Sequence, residues 1–91
     1  MSAPQTTVLR FDYPTATAAR RIERAIRLEV GALEEERSTV SLTRADRTLT
    51  LDVDAADRVA LRASLNSWLR YIAVAEDVVD AVSTARTKRD R

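Results

Sequence analysis

With 91 residues, 45% apolar and 32% charged, and a formal charge of +1, the chain suits a single small domain with one modest core and is too apolar to be disordered. It contains no Cys and no His, which removes the usual zinc ligands, the thiol nucleophiles and the commonest general base, so no catalytic site, metal or cofactor is expected. No apolar run approaches the roughly 18 residues of a membrane span, and the polar stretch Met1 to Thr7 does not read as a signal peptide, so a soluble, cytoplasmic protein is expected.

Thr7 to Tyr13 alternates, with Leu9, Phe11 and Tyr13 on one side and Val8, Arg10 and Asp12 on the other, the pattern of a half-buried strand that Pro14 ends. From a cap at Thr15 or Thr17, Ala18, Ile22, Ala25, Ile26 and Val30 recur at helical spacing, and Gly31 is placed to end that helix. Glu34 to Glu36 reads as an acidic loop. Val40 and Leu42, then Leu49, Leu51 and Val53, alternate with polar residues as two strands joined by a turn at Ala45 to Arg47. Asp54 is the expected cap of a long final helix that continues to about Ala85, with Asp57 as an acid in its first turn.

The predicted class is therefore α+β with the order β-α-β-β-α and an antiparallel or mixed sheet. Each strand has one apolar side, which implies a three-stranded sheet with both helices on one face, and pairing of the first strand beside the third gives the order 1-3-2. One domain spans 1–91, with 1–6 and 86–91 as flexible tails.

The final helix is predicted at about 45 Å, longer than a globule of this size is wide. Leu61, Leu65, Trp68, Ile72, Ala75 and Val79 form one stripe that suffices to cover the sheet. A second stripe of Ala60, Ala63, Ser67, Tyr71, Val74 and Val78 is more than one sheet face buries, although the first helix can take part of it. Its small residues let another helix come close, and Ser64, Asn66 and Ser67 are indifferent helix formers gathered mid-helix. Ala60, Ala63, Ser64, Asn66, Ser67, Arg70 and Val74 are therefore the candidate partner-binding set. Arg20, Arg21, Arg24 and Arg27, with Arg86, Lys88 and Arg89 in the tail, are the candidate phosphate-contacting set, although such strips more often serve only as solvated charge. Glu29, on the apolar side of the first helix, is expected to reach water at the helix end.

The stretch Asp57 to Arg70, DRVALRASLNSWLR, resembles the signature of the Pcc family through its core LRAS-x-NS-x-LR. FDYP at Phe11 to Pro14 and the spacing of Ala19, Ile22, Ala25, Ile26 and Glu29 are similar in outline to the family's first strand and helix. The family supplies the small subunit of the KEOPS complex, which makes threonylcarbamoyladenosine in tRNA. The resemblance implies a non-enzymatic adaptor, archaeal-like in its brevity, that forms a homodimer and docks through its helices on the Kae-type catalytic subunit. It carries over directly to Arg62, Ser64, Asn66, Ser67 and Arg70, and it supplies the connection to tRNA. The competing reading is a stand-alone KH-like RNA-binding module, against which the lack of a glycine-rich loop counts, since Gly31 is the sole glycine.

Overall fold

The computed structural model describes the backbone of residues 3–32 and 37–89 and the side chains of residues 3–27 and 37–82. Strand β1 (Gln5–Asp12) is followed by helix α1 (Ala16–Ala32), strands β2 (Ser38–Ala45) and β3 (Thr48–Ala55), and helix α2 (Arg58–Arg89). The sheet order is β1-β3-β2, the order expected when the first strand lies beside the third, and both pairings prove antiparallel, so the sheet is not mixed.

Register explains why the sheet has one wet and one dry face. Thr7, Val53 and Val40 form one cross-strand row, Leu9, Leu51 and Leu42 the next, and Phe11, Leu49 and Arg44 a third. Leu49, Leu51 and Val53 on the central strand are fully buried, and they join Ile22 and Ile26 of α1 and Trp68, Ile72 and Ala75 of α2 in one cluster. The alternate rows, Val8 with Asp52 and Ser41, and Arg10 with Thr50 and Thr43, lie on the opposite face. There Thr6 donates to Asp54 at 2.8 Å and Thr48 to Asp12 at 2.6 Å, so the open face is a polar surface of cross-strand pairs. Both helices cover the other side.

The caps decide where the helices start. Thr15 Oγ1 accepts the Ala18 amide at 3.0 Å, which selects Thr15 over Thr17 as the cap of α1. Gly31 does not terminate that helix, which ends at Ala32, two residues beyond the expected end near Val30. At α2 the cap is Asp57 and not the expected Asp54. Asp57 accepts the Ala60 amide at 2.8 Å and pairs with Arg37, whereas Asp54 still belongs to β3. The physical reason is Ala55, which is buried and paired with both Gln5 and Ser38, so the strand runs past residue 54. The β2–β3 turn tightens to Asp46 and Arg47, with Ala45 inside β2; Asp46 takes a φ of 57°, a left-handed conformation that aspartate tolerates without glycine.

Two elements reach further than expected. β1 begins at Gln5 rather than Thr7, and the α2 backbone runs to Arg89 rather than Ala85. At 1.5 Å per residue the 32 residues of α2 measure about 48 Å, against about 27 Å for an eight-residue strand. The molecule accordingly extends 61 Å along one axis and only 21 and 17 Å along the others. The acidic stretch Glu34 to Glu36 and the Glu29 side chain lie outside the described residues.

Position in the sheet sets the cost of substitution. Leu51→Ala, at a site with no exposure, should lower the stability to urea by about 2–5 kcal/mol, whereas Val8→Ala on the open face should change it by no more than about 0.5 kcal/mol. Equal losses at the two positions would contradict the one-sided core.

Candidate partner-binding surface

The expected core stripe of α2 is the stripe that faces the sheet. Trp68, Ile72 and Ala75 are buried, and Leu61, Leu65 and Val79 pack against them partly buried. Trp68 holds the rotation of the helix, since its side chain is 1% exposed and its ring meets Tyr71 edge-on at 6.1 Å. With that face fixed, every other face of α2 has a determined exposure.

Among the expected partner-binding residues, Ala60 and Ser64 prove to be interior, at 7% and 8% exposure, and are not available to a partner. Their place on the helix explains it, because both lie on the flank nearest the Trp68 stripe. Ala63, Asn66, Arg70 and Val74 are exposed, and Ser67 is half-buried between them. The second stripe therefore divides into an inner edge absorbed by the fold and an outer edge facing solvent. The large exposed apolar side chains are concentrated on α2, where Val59, Leu69, Val74, Val78 and Val82 are all about half exposed or more. On the sheet, among the described residues, only Val8 joins them.

A groove that no single sequence pattern announced lies between the helices. Ala25 of α1 and Val78, Val79 and Val82 of α2 form its apolar floor, and Arg21 and Arg24 stand at its edge, enclosing about 230 Å³. It depends on two helices at once: Ala25 belongs to the apolar repeat of α1 and Val78 to the second stripe of α2, and neither repeat alone shows that they line one groove. On the other side of α2 a cavity of about 390 Å³ lies between Tyr13, Ala18 and Ile22 and the α2 residues Glu76, Val79 and Asp80. There the Tyr13 hydroxyl donates to Glu76 Oε2 at 2.8 Å. Burial, followed by this hydrogen bond and the nearby Glu76 charge, pushes the phenol well above its ordinary range, so it remains a protonated donor that ties the end of β1 to α2.

The arginines of α1 share an outward-facing side of the helix, but they are not equally free. Arg27 pairs with Glu23 at 2.5 Å, Arg44 on β2 approaches the same carboxylate at 2.9 Å, and Arg20 donates to Thr17. The hydrogen bond from Arg27 leads the interactions that hold Glu23 below the usual carboxylate range, against the opposing effect of burial. Glu23 is thereby a bracket between α1 and the sheet edge, which gives Arg27 a structural partner. Arg24 is exposed at the groove edge. The side chains of Arg86, Lys88 and Arg89 lie outside the described residues. Asp52, Asp54 and Asp57 occupy mid-strand, strand end and helix cap, and among the described residues no group of three or more His, Cys, Asp or Glu side chains is arranged to hold a metal ion. No helix among them is long and apolar enough to cross a membrane.

Comparison with known proteins agrees with this geometry. The chain is 32% identical over 70 residues to the KEOPS complex subunit Pcc1 of Pyrococcus abyssi (strain GE5 / Orsay), an alignment covering 77% of this chain and 85% of that protein. Its fold is similar to a chain in the crystal structure of a binary Gon7-Pcc1 complex, with a TM-score of 0.69 and 17% identity over 86% of this chain and 95% of the other. The family described as transcription factor Pcc1 matches residues 6–80, from the start of β1 to the part of α2 that passes the groove. By that match, and by the identity it shares with the Pyrococcus protein, the chain belongs to the Pcc1 family.

Proposed function

We propose that this protein is a non-catalytic subunit of a KEOPS complex, an adaptor that pairs with itself and docks on the Kae-type catalytic subunit to support threonylcarbamoyladenosine modification of tRNA. The observation that carries the proposal is the distribution of exposed apolar side chains along α2, which leaves two adjoining uncovered surfaces, meeting at Val78, on the helical side of one small domain. An adaptor needs two. One is the outer edge of the second stripe; the other is the groove at Val78, Val79 and Val82. The relative from Pyrococcus carries the name of a KEOPS subunit, and the solved relative is bound to another protein, which supports the same reading.

The groove suits the catalytic subunit. An apolar floor gives a docking helix its affinity, and Arg21 and Arg24 at the rim favour acidic residues beside that helix. The open sheet face is a poorer candidate for nucleic acid, because Asp12, Asp52 and Asp54 there outnumber Arg10. Any contact with tRNA falls instead to the outward side of α1, through Arg20, Arg21 and Arg24, as a phosphate-contacting surface indifferent to sequence.

Two experiments bear on these assignments. Ala25→Asp combined with Val82→Asp places carboxylates in the groove at exposed positions, so the protein should keep its helical circular dichroism while co-purification of a co-expressed Kae-type subunit falls at least ~tenfold. Undiminished recovery would remove the groove from the interface. Reversing charge at Arg20, which does not line the groove, should weaken tRNA binding by the assembled complex and flatten its dependence on salt; an unchanged salt slope would return the residue to solvation alone.

A further inference from the structure

The cavity between the end of β1 and the two helices offers a bound molecule an apolar wall and hydrogen-bond acceptors. Pro14, Ala18, Ile22 and Val79 form the wall, Asp12, Tyr13, Glu76 and Asp80 supply the polar side chains, and the space between them is about 390 Å³, the size of a small organic ligand's pocket. The one side-chain donor among the lining residues, the Tyr13 hydroxyl, is already committed to Glu76 Oε2 at 2.8 Å, and burial keeps it protonated there. What remains is the acceptor capacity of three carboxylates. No ion pair among the described residues engages Asp12, Glu76 or Asp80, and Asp12 receives only the Thr48 hydroxyl. No described lysine or arginine lines the cavity, in a chain that carries 15 of them. A ligand that satisfies this set has donors and no acceptor, which is the character of an ammonium or a guanidinium.

Two further features narrow the cation. Among the described residues no three acidic side chains are arranged to hold a metal ion, so the carboxylates line the cavity without converging on one point. A compact hydrated ion also gains nothing from Ile22 and Val79, whereas methylene groups lie against them while their charged end stays wet. Glu76 is half-buried and Asp80 exposed one turn further along α2, so the charged end sits at the mouth, where desolvation is partial. Like charges at that spacing repel each other, and a cation between them relieves the repulsion. We propose that this cavity binds an aliphatic cation, a protonated amine or guanidinium whose methylene stem lies along Ile22 and Val79 and whose head sits between Glu76 and Asp80. Free alkyl amines carry this group, and so do the lysines and arginines of a bound protein. The site does not depend on the docking proposed above.

Titration of the free, isotope-labelled protein with n-butylammonium and ethylguanidinium chloride at constant ionic strength tests it. The amide signals of Tyr13, Ala18 and Val79 should shift and saturate in the millimolar range. Glu76→Gln keeps an oxygen to accept from Tyr13 and Asp80 is exposed, so Glu76→Gln and Asp80→Asn should leave the circular dichroism unchanged. Each should weaken binding at least ~threefold through the loss of one charge-assisted hydrogen bond. Asp77→Asn, the same change of charge at a neighbouring position outside the cavity, should leave binding as it is. The source of the cation is then read from the complex with the Kae-type subunit. A side chain supplied by that subunit should block both probes, and the Glu76→Gln, Asp80→Asn double variant should recover less of the subunit. A free amine should still bind the complex, with recovery unchanged, and either result upholds the site. Shifts that do not saturate, that fall away from the cavity, or that Asp77→Asn diminishes as much as Glu76→Gln does would overturn it.

Discussion

The surfaces of this molecule follow from a mismatch between one helix and one sheet. Three eight-residue strands offer a dry face only as long as the strands themselves, and α2, with 32 residues, is laid across it. A sheet of that size buries one stripe of such a helix. The remaining apolar side chains either meet α1, as Val79 does, or stay in water, as Val74, Val78 and Val82 do. Leaving that many valines exposed costs about 1–2 kcal/mol each in burial forgone, which is a large share of a small domain's stability.

The rotation of α2 makes this mismatch specific. Trp68 is too large to sit anywhere but over the dry face, and it enters the cluster with Leu51, Ile72 and Ile22. Asp57 fixes where the helix begins, by capping the Ala60 amide while holding Arg37 at the start of β2. Tyr13 fixes its course further along through Glu76, and Glu23 holds α1 to the sheet through Arg44. Between them these contacts settle that Arg70 and Asp77 face outward, that Ala60 and Ser64 face inward, and that a groove opens where the two helices part. The exposed apolar surfaces are consequences of core packing rather than additions to it.

Much of this was legible in the sequence, because period-2 alternation and a 3.6-residue repeat report which face is dry. Leu9, Phe11, Val40, Leu42, Leu49, Leu51 and Val53 all take the side their alternation implied, and so does the stripe from Leu61 to Val79. The order 1-3-2 needed one condition beyond pattern, that the first strand lie beside the third, and it does. What could not be read was whatever depends on two elements at once. Asp54 and Asp57 are chemically equal caps until the pairing of Ala55 shows that β3 has not ended. Ala60 and Ser64 are ordinary small residues among the partner-binding candidates until the fold buries them. Arg27 belongs to a basic strip until Glu23 pairs with it. Gly31, a ready terminator in isolation, is overrun because α1 continues to Ala32.

An adaptor with two distinct surfaces differs from a protein with one adhesive face in what happens when both partners are present. Native mass spectrometry of the chain mixed with an excess of a Kae-type catalytic subunit measures this directly. Separate surfaces predict an assembly holding two copies of each protein. A complex that stops at one copy of each, with the homodimer lost as the catalytic subunit is added, would mean that the two compete for one face and would contradict the two-surface adaptor.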